Sequence, residues 1–217
     1  MRLDLLTTLL HLSDPTLPIG GYAHSCGLES YVQRGVVCDE ATAKEFIRNS
    51  LHYNAKFNDA IYLRLAWESG ADITALRRLD EECRATKSPR EIRQASEKLG
   101  VRLLKIFSRK ISLKDLSGVS NYAVIYGAVA YRMGLSLEDT LLSFYYNTMV
   151  CMVTNAVKLI PLGQLAGQDI LFELEQELEQ LTQETVALDR EMRGVCAVGF
   201  DIGAMQHERL YSRLYMS

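Results

Sequence analysis

The sequence predicts an all-α protein, a single globular helical domain over residues 1–217 with about eight to ten helices. Three observations carry that expectation. Helix start and stop residues recur along the chain. Strand signals are nearly absent, with no Asn-Gly or Asp-Gly hairpin turn and few segments of period two. A leucine seam with heptad spacing runs from Leu171 to Leu188.

Taken in order, residues 1–12 have helical spacing; with Asp4 early and no small-residue cleavage site, they do not read as a signal peptide. Gly20-Gly21 after Pro18 suits a turn with positive φ. Asp39 is placed to cap a helix beginning at Glu40, and Gly70 closes the apolar run that ends in Ala66-Trp67. Asp72 caps the next helix, which carries Ile73, Leu76 and Leu79. Ser88 before Pro89 reads as a capping hydroxyl ahead of a first-turn proline. Leu99, Leu103 and Ile106 then continue a helical stripe to about Arg109. A further helix covers 122–133 and stops at Gly134, and Ser136 with Asp139 resembles a capping box. Pro161 to Gln164 fixes a bend between two helices. In the seam, Leu171, Leu174, Leu178, Leu181, Thr185 and Leu188 alternate three and four apart. Its other faces carry Glu173, Glu175, Glu177, Glu179 and Glu184, expected to face water.

With 48% hydrophobic and 24% charged residues, the 217-residue chain has ordinary globular composition. A formal net charge of -3 argues against a generic nucleic-acid or membrane-surface binder. The apolar stretch from Leu141 to Leu162 is broken by Asn147, Thr154, Asn155, Lys158 and Pro161, and reads as a buried core helix rather than a membrane span. Cys26, Cys38, Cys83, Cys151 and Cys196 are scattered, odd in number and never spaced C-x-x-C, a pattern of reduced thiols in a cytoplasmic protein.

Catalytic signatures are missing. No G-x-x-x-x-G-K-[ST] string is present to neutralise nucleotide phosphates, and no H-E-x-x-H to hold zinc. His24 and Cys26 lie two apart and share a metal only in an extended or loop conformation. His207 and Glu208 are adjacent, so on a helix their side chains diverge. Ser25 or Cys26 beside His24 has no nucleophile elbow around it. The expectation is a protein that is not an enzyme. Charge is uneven: residues 90–110 are strongly basic and 169–191 strongly acidic, which either orients a charged partner or reflects two solvated faces.

Three blocks carry a resemblance. Residues 12–31, LSDPTLPIGGYAHSCGLESY, are similar to the N-terminal signature of the UreF family of urease accessory proteins. Residues 155–164, NAVKLIPLGQ, and the tail HERLYSRLYMS at 207–217 resemble two further family segments, and Asn58-Asp59-Ala60 falls where the family has a similar element. The chain departs from the commoner pattern at Asn121-Tyr122, where histidines are frequent, at Lys158, where arginine is, and at Met216. Lysine keeps the charge but loses the planar two-pronged donor.

The resemblance implies an all-helical, homodimer-forming assembly factor in the cytoplasm. It implies binding to UreD/UreH, recruitment and modulation of the GTPase UreG, and nickel insertion into apo-urease. Nickel and GTP are then handled by those partners, with no cofactor bound directly. The partner-binding candidates come from the matching blocks. Tyr22, His24 and Glu29 lie in the first, and Lys158 and Gln164 in the second. His207, Glu208, Tyr211, Arg213, Leu214 and Tyr215 lie in the tail, where aromatic and arginine side chains are dense. Tyr22 and Arg213 are expected to support one shared surface. The alternative is a small nickel-binding carrier using His24, Cys26 and His207.

Overall fold

A computed structural model describes residues 2–217, and among these there is no strand. Eleven α-helical segments join into nine continuous helices. They are α1 (Leu3–Leu12), α2 (Leu28–Gln33), α3 (40–69), α4 (Ile73–Thr86), α5 (Arg90–Phe107), α6 (Tyr122–Arg132), α7 (Leu137–Leu159), α8 (164–187) and α9 (Val198–His207). The middle of α3, Ser50–Ala60, is wound as a π-helix, and α8 tightens to a 3₁₀ turn at Glu175–Glu177.

The helix ends follow their local chemistry. Asp39 Oδ1 accepts from the Thr42 N–H at 2.9 Å while Thr42 Oγ1 accepts from the Asp39 N–H at 3.1 Å, a reciprocal cap. Asp72 and Ser136 cap α4 and α7 through the amides of Ala75 and Asp139. Gly70 and Gly134 end α3 and α6 with positive φ, where a Cβ would be strained. One start differs from expectation. Pro89, not Ser88, occupies the N-cap position of α5, and no side chain caps it. Arg93 instead reaches back to the carbonyls of Lys87 and Ser88. The same helix stops at Phe107, two residues short of Arg109.

Helix α6 lies at the centre. Its segment YAVIYGAVAYR has no polar face, and every residue from Ala123 to Ala130 is buried. Two glycines permit its close packing. At Gly127 a Cβ would run into the main-chain carbonyl of Leu63 on α3, and at Gly100 of α5 into that of Ser120 just before α6. The core grows around this helix from Ile61, Leu63, Leu76, Leu103, Leu141, Phe144 and Tyr145.

Helix α7 contains most of the apolar stretch, but no described helix is long and apolar enough to cross a membrane. Two of its interrupting polar residues hold a loop. Asn147 Nδ2 donates to the carbonyl of Ser13 at 2.9 Å, and Asn155 Nδ2 donates to that of His24 at 2.8 Å. Eight residues apart, they share a helix face.

Helix α8 buries Leu174, Leu178, Leu181 and Thr185 as its seam requires, while Leu188 falls just beyond its end. The expectation that its acids all face water is corrected. Glu173 meets Lys44 at 2.6 Å, Glu177 meets Arg48 at 2.8 Å and His52 at 3.0 Å, and Glu184 meets Lys56 at 2.6 Å. The partners recur every four residues along α3, so two helical repeats come into register across the interface.

Candidate functional site

The chain from Leu210 to Ser217 folds back over the loop at 19–27 and the start of α2. What holds it there begins with a carboxylate. Glu29, in the first turn of α2, is 3% exposed. Its Oε1 accepts from the Leu214 N–H at 2.7 Å, and its Oε2 accepts from the Tyr215 N–H at 3.1 Å. The same Oε2 lies 3.1 Å from Nε2 of His207, the last residue of α9, which is fully buried. Nδ1 of His207 faces Glu91 Oε2 on α5 at 2.7 Å, and Glu91 Oε1 accepts from Arg213 at 2.8 Å. Each ring nitrogen of His207 thus has a carboxylate oxygen as its hydrogen-bond partner. The run Arg213–Glu91–His207–Glu29 thus ties α5, α9, α2 and the tail into one polar network.

A second fastening lies at the end of the tail. The main-chain oxygen of Ser217 accepts from the amides of Ser25 at 2.6 Å and Cys26 at 3.1 Å, and from Ser25 Oγ at 2.9 Å. Ser217 Oγ meets His24 Nδ1 at 2.8 Å, and the Met216 N–H donates to the Ala23 carbonyl at 2.8 Å. Gly20 at φ 90° and Gly27 at φ 86° supply the sharp turns that bring the loop to the tail, with Cys26 between them also at positive φ. Burial lowers the His24 pKa from 6.5, and the nearby Lys98 and Arg102 cations lower it further, so the ring is neutral where it meets Ser217.

These fastenings divide the candidates. Glu29, His207, His24 and Tyr215 are buried and hold the tail from within. Tyr22, Tyr211 and Leu214 are exposed by 60%, 106% and 66%, so they are the faces available to another protein. Arg213 is exposed yet anchored on Glu91, and Glu208 is paired with Arg90 at 2.6 Å. Tyr22 and the tail share one region, because Met216 pairs with Ala23 next to it. Lys158 and Gln164, both exposed, flank the α7–α8 bend, and among the described residues no side-chain hydrogen bond or ion pair joins them to the tail network.

His24, Cys26 and His207 do not converge. Among the described residues no three His, Cys, Asp or Glu side chains are grouped to hold a metal ion. Beneath the loop lies a cavity of about 150 Å³, walled by Leu99, Tyr122, Phe144 and Met152 and reached by His24, Cys26, Lys87 and Asn155. Lys87, 5% exposed, donates to Asp59 at 2.7 Å and to the Asn58 carbonyl at 3.0 Å. Burial, the largest single influence, lowers its pKa, but the charge and hydrogen bond of Asp59 together with its other neighbours raise it overall. The Asn58-Asp59 element thus lies on the π-wound stretch as the acceptor of a buried lysine.

Sequence reasoning missed Asn155, Ser217 and Glu91. The first left a trace, since Asn147 and Asn155 are eight apart in an otherwise apolar helix. The other two left none, because their partners lie more than a hundred residues away.

Residues 37–175 match the model of the family described as UreF. Over 226 aligned residues the chain is 46% identical to the urease accessory protein UreF of Actinobacillus pleuropneumoniae serotype 5b, covering 98% of this chain and 99% of that one. It is 47% identical to the protein of that name from Haemophilus influenzae, covering 98% and 95%. With the one from Geobacillus kaustophilus it shares 32% over 220 residues, covering 98% of each.

Proposed function

This chain belongs to the UreF family of urease accessory proteins, and from that premise we propose that it matures urease by presenting a docking surface to the other maturation proteins. As a member of an accessory family, it serves urease and is not itself an enzyme. In this reading a homodimer in the cytoplasm binds UreD/UreH, recruits the GTPase UreG and modulates it. Nickel then passes to apo-urease when the assembly is correct, with nickel and GTP held by the partners.

The observation that carries the reading is the fastened tail. Glu29, a carboxylate 3% exposed, spends its acceptors on tail amides, and the tail so held leaves Tyr211, at 106%, and Leu214, at 66%, in solvent. Keeping large apolar side chains in water loses the free energy that burial would give, about 1.5–3 kcal/mol for each one fully buried. Fixing the backbone that bears them removes part of the ordering cost of binding beforehand. Tyr22 lies on the loop to which that tail is pinned.

The test is capture of purified UreD/UreH and UreG on the immobilised full chain. Tyr22→Ala and Arg213→Ala are expected to lower capture at least tenfold with unchanged circular dichroism, as is removal of residues 208–217. Normal capture of UreG by both point variants would refute the shared surface. Nickel binding is read on the same preparation by equilibrium dialysis. Tight stoichiometric uptake by the isolated chain would favour the nickel carrier instead.

A further inference from the structure

We propose that the outer face of α5 receives an acidic helix of a partner protein, whose carboxylates, spaced four and three residues apart, meet Lys98, Arg102 and Lys105. The proposal deepens the docking reading above and rests on it for the role of the surface, but not for its chemistry.

The two acids of α5 are used elsewhere. Glu91 is held by His207 and Arg213, and Glu97 is paired with Arg84 at 3.0 Å. The cations of its first turn are also used, Arg90 by Glu208 and Arg93 by the carbonyls of Lys87 and Ser88. Beyond them, Lys98, Arg102, Lys105 and Arg109 are all exposed. Among the described residues no carboxylate lies within ion-pair distance of any of the four. Arg102 makes one bond, to the carbonyl of Ile19 at 2.8 Å.

Their spacing places Lys98, Arg102 and Lys105 within a sector of roughly 60° at 3.6 residues per turn, and Arg109 lies two residues past the helix end. Like charges four apart on a helix repel, so the stripe is unfavourable in the isolated chain. Compensation of the helix dipole accounts for Lys105 and Arg109 near the C-terminus. It does not account for Lys98 and Arg102, because that effect fades beyond the last turn.

The molecule itself contains a stripe of this kind with its partner in place. Lys44, Arg48 and Lys56 on α3 are met by Glu173, Glu177 and Glu184 of α8. An acidic helix laid along a basic one is therefore a geometry this fold already uses. Val101, 51% exposed, flanks the stripe, and Arg102 touches the loop that carries Tyr22. The surface thus combines cations with apolar contacts, which suits an amphipathic protein helix better than a nucleic-acid backbone. The influence of Lys98 and Arg102 on His24 shows that the field of the stripe extends to the tail fastening.

The test uses the full chain and a fluorescent helical peptide with glutamates at i, i+4, i+7 and i+11 and leucines beside them. Controls are the same peptide with lysine for glutamate and a single-stranded 20-mer DNA. Anisotropy is expected to show binding of the acidic peptide that weakens at least fivefold between 50 and 300 mM salt, as the Debye length contracts. In Lys98→Glu/Lys105→Glu that binding is expected to fall at least tenfold, while the lysine peptide gains affinity. Equal affinity for the two peptides, unchanged binding by the variant, or tighter binding of the DNA at equal salt would overturn the proposal. So would self-association by sedimentation that the variant abolishes, with no peptide bound. None of these outcomes touches the tail surface, which stands or falls on Tyr22→Ala and Arg213→Ala.

Discussion

Replacing Glu29 tests whether one buried carboxylate holds the tail. Three donors converge on it, the amides of Leu214 and Tyr215 and the ring of His207, at 2.7, 3.1 and 3.1 Å. In Glu29→Ala all three lose their acceptor in a place water does not reach. At about 1–3 kcal/mol for each unsatisfied buried donor, the three together cost at least about 3 kcal/mol. The cost is expected to appear as opening of residues 210–217 rather than global unfolding, because the core around α6 does not depend on the tail. Glu29→Gln is graded below it. Its amide oxygen can take the place of Oε2 and serve the Tyr215 N–H and His207, but the Leu214 N–H then faces the amide nitrogen, a second donor. One unsatisfied buried donor costs about 1–3 kcal/mol. Hydrogen exchange reads both variants. At about 1.4 kcal/mol per decade, the Leu214 and Tyr215 amides should exchange two to three decades faster in the alanine variant and one to two in the glutamine variant. Unchanged exchange at these amides would refute the reasoning. So would equal loss throughout α6, which would make Glu29 a determinant of the whole fold.

Three further outcomes follow from the same geometry. Gly127→Ala drives a methyl into the Leu63 carbonyl, so α3 and α6 must separate; a loss of about 1–3 kcal/mol or more is expected in urea unfolding. Asp59→Ala leaves the Lys87 charge buried without its carboxylate and is expected to cost about 3–5 kcal/mol in thermal unfolding. Lys87→Met should cost less, because the Asp59 side chain is 27% exposed and can be hydrated, and the double variant should recover most of the loss. His24 has a folded pKa depressed below 6.5, so the unfolded chain binds its proton more readily. Its stabilising contribution is complete above pH 6.5 and is lost as pH falls through the folded value. The protection factor of the Met216 amide, its exchange corrected for the intrinsic rate at each pH, should therefore fall on acidification from pH 7 to 5, and His24→Phe should remove that component.

Much of the helical architecture was legible because helix ends are written locally. Asp39, Asp72, Ser136, Gly70 and Gly134 act on backbone groups within a few residues, so their meaning survives without tertiary context. Ser88 failed as a cap because the helix begins one residue later than its hydroxyl requires, with Pro89 in the N-cap position and no acceptor on its side chain. The acids of α8 were misread as solvated because their partners on α3 are more than a hundred residues distant.

The amino-acid order by itself determined the all-helical class, most helix boundaries, the seam of α8 and the three blocks that point to a UreF protein. Each depends on short-range spacing or on similarity along the chain. Only the tertiary structure decided that Glu29 and His207 face inward, that Tyr22, Tyr211 and Leu214 face outward, and that α5 carries an unneutralised basic stripe. Burial and charge pairing are properties of groups brought together from distant parts of the chain. A glutamate's role is therefore set by whichever amide, imidazole or water occupies the space beside it.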